Sequence, residues 1–142
     1  MTRRTAPDQV TVEVVELFGE VVARYHAEYD RAAAAQSLTG AAARVLSLLT
    51  LEPLPMRRIA TRLKCEPSNI TGIVDRLEAR GLVERRADPG DRRVKLAAPT
   101  EEGLRVAAEL RESLDFAREP LGALAPEERL VLRGLLRRMA DA

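Results

Sequence analysis

The sequence predicts a mainly α protein of the α+β class, with one small β element, on three observations. Its apolar residues are above all Ala, Leu and Val, with two Phe, two Tyr and no Trp, a composition that favours helices over a β-sandwich. Apolar positions recur every three and four residues along most of the chain, between residue types that start and stop helices. Strand-like runs are confined to residues 82–98, on either side of turn chemistry. At 142 residues the chain is long enough to bury a core without disulfides or metal. The single cysteine, Cys65, has no internal partner and fits a reducing compartment, while leaving a cross-link between two chains open. The longest uncharged apolar stretch, Val45–Leu51, is far below the roughly 18–20 residues a membrane span needs, and no signal-peptide core opens the chain. A cytoplasmic protein with no membrane partner is expected.

The first helix is expected from about Pro7 to Gln36, with Val14, Phe18, Val21, Val22, Tyr25 and Tyr29 on one stripe. At about 1.5 Å per residue it reaches roughly 40 Å, more than a small core requires, so its ends are expected to pack outside the domain. Thr39 is a good N-cap for a second helix carrying Leu46 and Leu49 and ending near Glu52-Pro53. Pro55 can open a third, short helix with Met56, Ile59, Ala60 and Leu63 inward. After the turn Lys64-Cys65-Glu66, Pro67-Ser68-Asn69 starts a fourth helix, in which Ile70, Ile73, Val74 and Leu77 repeat until Gly81 stops it. Two short helices joined this tightly form a helix-turn-helix. Leu82–Arg86 and Arg93–Leu96 read as two strands around Asp88-Pro89-Gly90-Asp91, a hairpin wing. Thr100 with Glu101-Glu102 caps a fifth helix to about Glu119, and Pro126-Glu127-Glu128 opens a sixth.

Charge separates the same segment from the rest. Residues 56–95 carry eleven Lys/Arg against six Asp/Glu, a net of +5, while the remainder carries twelve against sixteen, a net of −4, consistent with +1 overall. A basic segment in an acidic frame is the footprint of phosphate contact, because Lys and Arg displace condensed counterions.

A helix that reads DNA buries one side and keeps the other polar, with short side chains near its start. Residues 67–80 meet that test, with Ser68, Asn69, Thr71, Gly72, Asp75 and Arg76 around the outer arc. The Asn69 amide suits adenine in the major groove, and Thr71 suits a thymine methyl. Ser68 has two open roles, contact with DNA or capping of the helix. On the hairpin, Arg92 and Arg93 can enter a narrow minor groove; the alternative is pairing with Asp91, Asp88 or Asp75. Arg57 and Arg62, with Arg58 and Lys64, are candidate phosphate clamps.

The run Pro67-Ser68-Asn69-Ile70-Thr71-Gly72-Ile73-Val74-Asp75-Arg76-Leu77, with Gly81-Leu82-Val83-Glu84-Arg85, Asp88-Pro89-Gly90-Asp91-Arg92-Arg93 and Thr100-Glu101-Glu102-Gly103, resembles the multiple-antibiotic-resistance regulator (MarR) family. The resemblance implies a DNA-binding transcriptional regulator, a repressor working as a homodimer on a pseudo-palindromic operator. It implies a winged helix-turn-helix over residues 38–99, with a recognition helix at about 67–80 and a two-stranded wing at about 82–98. Residues 1–37 and 100–142 then form a helical dimerisation region, and Arg93 matches the family's minor-groove wing arginine. Two positions depart from the family pattern: Gly72 stands where a larger polar or basic side chain is common, and Pro99 where Leu is common.

Val14, Phe18 and Val21 of the first helix and Leu132, Leu135, Leu136 and Met139 of the sixth are the expected dimer core. Many family members are released from DNA by small aromatic acids bound between the dimerisation helices and the winged domain, and His26, Tyr29 and Arg44 are the candidates for such a pocket here. Two alternatives stand beside this reading: a helical dimeric interaction protein with weakened DNA binding, and an oxidant-responsive regulator using Cys65. One His, one Cys and no metal-ligand cluster or Gly-rich phosphate loop argue against an enzyme and against any cofactor or metal.

Overall fold

A computed structural model describes residues 5–142, in the order α1 (Gln9–Ala35), α2 (Gly40–Leu49), β1 (Leu54–Pro55), α3 (Met56–Leu63), α4 (Pro67–Ala79), β2 (Val83–Ala87), β3 (Lys95–Pro99), α5 (Glu101–Ser113) and α6 (Pro126–Ala140). Asp8 caps α1, its carboxylate accepting from Thr11 N at 2.8 Å, a bond that holds the Asp8 carboxyl below its ordinary pKa. Thr39 caps α2 as expected, accepting from Ala42 N at 3.1 Å.

The core is built on α2, whose Ala43, Val45, Leu46 and Leu49 are fully buried beneath Ala33 of α1, Ile70, Val74 and Leu77 of α4, and Ala107 and Leu110 of α5. Burying each such Leu, Ile or Val stabilises the fold by about 1.5–3 kcal/mol, which fixes the orientation of α4 firmly. Between α3 and α4 the chain turns in three residues. Lys64 takes a left-handed conformation (φ 54°), and Cys65 N donates back to Ala60 O at 3.0 Å, closing the end of α3. Gly81 is also left-handed (φ 73°), the conformation that lets the chain leave α4 and enter β2 at once.

Several boundaries differ from the sequence expectation. The sheet has three antiparallel strands in the order β1-β3-β2, not two: Leu54 pairs with Ala97 and Pro55 with Leu96, while Val83 to Ala87 pair with Pro99 to Lys95. Pro55 therefore sits in the edge strand and at the N-cap of α3, which opens at Met56. Helix α2 ends at Leu49, short of Glu52-Pro53. Strand β3 begins at Lys95, so Arg93 and Val94 belong to the wing turn. Helix α5 stops at Ser113 instead of Glu119, because α1 captures the following chain. There Phe116 N donates to the buried Glu28 carboxylate at 2.8 Å, and the Phe116 ring meets Tyr25 edge-on at 5.3 Å.

Candidate nucleic-acid interface

The four apolar residues of α4 that the periodicity selects, Ile70, Ile73, Val74 and Leu77, are all buried. Their burial turns the other arc outward: Ser68, Asn69, Thr71, Asp75 and Arg76 are exposed, and Gly72 is half-exposed. Ser68 is not a cap. Glu66 occupies the N-cap position without a side-chain bond, Pro67 takes the first helical position, and Ser68 lies one residue inside the first turn. A proline needs no partner for its nitrogen there, which removes the demand for a capping hydroxyl. Thr71 Oγ1 donates to Pro67 O at 3.2 Å, so its hydroxyl proton is held by the helix.

Asp75, on the same arc, is engaged within the fold. Arg85 of β2 donates to Asp75 at 2.5 Å and to Glu78 at 2.7 Å, fastening the wing to the recognition helix. The Asp75 carboxylate bond, above all, pushes the Arg85 guanidinium pKa up, against a smaller opposing effect of burial. Two exposed acids are thereby occupied beside the polar arc of α4.

At the wing tip Asp88 accepts from Gly90 N at 2.9 Å and Asp91 from Arg93 N at 3.1 Å, two side-chain bonds that shape the turn. Of the carboxylates offered as partners for Arg92 and Arg93, Asp75 is engaged by Arg85, and Asp91 lies 3.9 Å from Arg93 Nε. The Arg93 side chain is 96% exposed, so that contact contributes almost nothing. Arg92 is exposed too, as are Arg57, Arg58, Arg62 and Lys64 on and just after α3. The fold thus presents a polar helix face, an arginine-tipped wing and a row of cations. Cys65 lies half-buried in the turn, its Sγ 3.4 Å from Leu63 O.

The sequence-predicted dimer residues behave differently from core. Val14, Phe18 and Val21 are about half exposed, as are Leu135, Leu136 and Met139, and Leu132 is half-buried. Helix α6 buries none of its residues, and α1 buries only Glu28, Tyr29, Ala32 and Ala33 near its C-terminal end.

His26, Tyr29 and Arg44 are spread over unlike surroundings. Tyr29 is buried and donates its hydroxyl to Ser47 Oγ at 2.8 Å, His26 is exposed, and Arg44 is half-buried. Sequence reasoning missed the residue that joins them, Tyr25, whose ring lies 5.9 Å from His26, 5.7 Å from Tyr29 and 5.3 Å from Phe116. Its place on the apolar stripe was the available signal. Although Tyr25 is 38% exposed, partial desolvation pushes its phenol pKa up, with Tyr29 adding and Arg44 opposing. A separate cleft of about 450 Å³, lined by Arg24, Glu28, Arg31, Ser113, Asp115 and Glu119, contains none of the three predicted residues. Among the described residues no group of three His, Cys, Asp or Glu is placed to hold a metal, and no helix is long and apolar enough to cross a membrane.

A buried-faced second helix, a tight turn and a basic β wing define a winged helix-turn-helix protein, and the polar outer arc makes it a DNA-binding one. The MarR family profile matches residues 38–95, from Leu38, just before the N-cap of α2, to Lys95, the first residue of β3. The HTH-type transcriptional repressor NicR of Pseudomonas putida is 33% identical over 143 residues, covering 96% of this chain and 87% of that protein. Among solved structures, CouR of Rhodococcus jostii RHA1, bound to p-coumaroyl-CoA, is 31% identical with a TM-score of 0.76, covering 94% of this chain and 92% of that one. BpsR of Bordetella bronchiseptica, whose DNA binding is regulated by 6-hydroxynicotinic acid, is 27% identical with a TM-score of 0.75, covering 96% and 99%. The chain belongs to the MarR family and is a DNA-binding transcriptional regulator of the winged-helix fold.

Proposed function

We propose that the protein is a repressor that binds a pseudo-palindromic operator as a homodimer and is released by a small aromatic acid or its thioester. One observation carries the DNA mode: α4 buries its whole apolar face and leaves its polar arc exposed, while the wing carries Arg93 with a 96% exposed side chain and only a 3.9 Å contact to Asp91. Asn69 and Thr71 read base edges in the major groove, with Ser68, Gly72 and Arg76 against the groove walls. Arg93, with Arg92, enters the adjacent minor groove, and Arg57 and Arg62 hold phosphates. Residues 38–99 act as the DNA-binding unit, and residues 1–37 with 100–142 as the dimerisation unit, of which residues 1–4 lie outside the described residues. The exposed apolar faces of α1 and α6 support the dimer, since faces this apolar are rarely left to water. Such a regulator works where its DNA is, in the cytoplasm, and by binding alone, without catalysis or a cofactor.

For the ligand, the support is the cluster of Tyr25, His26 and Tyr29 with Arg44 within electrostatic reach of Tyr25, an aromatic wall next to a cation. The ligands named for CouR and BpsR have the chemistry such a wall accepts, an aromatic ring with a carboxyl-derived group. The test is a titration of duplex DNA from upstream of the gene at two salt concentrations, with and without hydroxylated aromatic acids. Binding is expected to weaken steeply with salt, by about 10³-fold or more between 50 and 200 mM for six or more phosphate contacts, and to be lost on adding the effective acid. Salt-insensitive binding refutes the phosphate clamps, and indifference to every aromatic acid refutes the ligand class.

A further inference from the structure

Residues 9–22 of α1 contain three Glu and no Lys or Arg, whereas residues 129–140 of α6 contain four Arg and no Asp or Glu. The acids Glu13, Glu16 and Glu20 fall at i, i+3 and i+7, and the bases Arg129, Arg133 and Arg137 at i, i+4 and i+8, so each set runs as a stripe along its helix. At about 1.5 Å per residue the stripes are roughly 10 and 12 Å long, a match in length as well as in sign. Among the described residues none of the six forms an ion pair within the chain; Glu13 accepts from Gln9 at 3.2 Å, and Arg129 donates to Leu121 O at 3.3 Å. The Arg stripe borders an open groove of about 450 Å³ whose floor is Leu121, Leu132 and Leu136. Such a groove suits a helix that is apolar on one side and acidic beside it, and the exposed half of α1 has that character, with Val10, Val14 and Leu17 exposed on the apolar side.

We infer that this α6 groove receives α1 of a second copy, and that pairing of Glu13, Glu16 and Glu20 with Arg129, Arg133 and Arg137 selects the partner. The inference rests on the homodimer reading and adds to it the reason one copy recognises another. In a two-fold dimer every pairing occurs twice, so a charge pattern too weak to matter in one copy becomes a discriminating one. An ionic term of this kind also discriminates against equally apolar helices that carry like charge at the seam, because like charges there repel.

The test uses two full-length charge-reversed chains, E13R/E16R/E20R and R129E/R133E/R137E, with helicity checked by circular dichroism. Each alone is expected to homodimerise at least about tenfold more weakly than the parent, and an equimolar mixture to restore the affinity as a heterodimer. Because the reversed side chains are exposed, a variant that still fails to fold is replaced by a measurement on the parent: its dimer dissociation constant rises with salt if the stripes pair, and stays level or falls if the seam is purely apolar. A parent that is monomeric at micromolar concentration removes the dimer reading and the inference together. A dimeric parent with reversed chains that homodimerise as tightly overturns the charge pairing alone.

Discussion

Replacing Gly72 with Ala is expected to move stability and DNA affinity in opposite directions. A Cβ at position 72 meets nothing within 4 Å, although the residue lies in the interior of α4. The fold therefore has no steric need for glycine there, and glycine in a helix costs about 0.5–1 kcal/mol relative to alanine. With an unfolding entropy of about 2.1 cal/mol/K per residue, a chain of this length gains roughly 2–3 °C in Tm at fixed protein concentration. The same methyl projects from the outer arc, where the proposed mode brings the helix backbone to base edges, and loss of one close contact there weakens specific binding by about 1–3 kcal/mol, or roughly 5- to 150-fold. Gly103→Ala is the control in the opposite sense. Its Cβ falls 2.0 Å from Leu82 O, a carbonyl already held by Thr100 N at 3.0 Å, so overpacking of about 1–3 kcal/mol lowers Tm by roughly 3–10 °C. Thermal melts followed by circular dichroism and anisotropy titrations on selected duplex DNA read the two quantities separately. A lower Tm for Gly72→Ala refutes the steric argument, and parental DNA affinity refutes close approach of α4 at its centre.

Arg93→Ala is expected to leave Tm within about 1 °C, because an ion pair of 3.9 Å on a 96% exposed side chain contributes almost nothing, and to weaken specific DNA binding at least about tenfold; parental affinity at moderate salt contradicts the wing assignment. Arg85→Met removes the bonds to Asp75 and Glu78, lowering stability by about 1 kcal/mol after screening and freeing two carboxylates beside the DNA face, so affinity falls further than stability; equal affinity in an anisotropy titration counts against a wing fastened to α4. For Tyr25, whose phenol pKa is raised by burial, the fold favours the neutral ring. Its stabilising effect is therefore complete below the ordinary value of about 10 and is lost as pH rises through the higher folded value. An ultraviolet absorbance titration should show a phenolate step above the ordinary value that Tyr25→Phe removes, and its absence speaks against partial desolvation of the Tyr25 phenol.

The parts of the fold legible in the sequence are those decided by neighbours in the chain. Ile70, Ile73, Val74 and Leu77 mark the buried face of α4, and Thr39 and Thr100 mark helix starts, because periodicity and capping act over three or four residues. What was hidden was decided by contacts far along the chain. The end of α5 depends on Glu28 and Tyr25 taking hold of Phe116, 88 residues away from Glu28, and no local signal announces that capture. The third strand is two residues of β1, held extended locally because Leu54 precedes Pro55, but paired with the edge of β3 far along the chain. In the candidate site, residue types were readable while their availability was not. Asp75 and Arg93 look equally charged in sequence, yet Arg85 occupies the first, while the second is 96% exposed with only a 3.9 Å contact to Asp91. At Ser68 one local rule overrides another, since Pro67 took the first helical position and left the Ser68 hydroxyl no end to cap.

Selection of binding sites by the purified protein from a random duplex library, followed by hydroxyl-radical footprinting of the enriched sequence, tests the central claim most directly. A dimer reading DNA through α4 and the Arg93 wing predicts an inverted repeat with half-site centres about 34–36 Å apart, one helical turn, protected in two successive major grooves with A·T-rich minor groove beneath each wing. Enrichment of a single unrepeated site, or of no sequence at all, contradicts it.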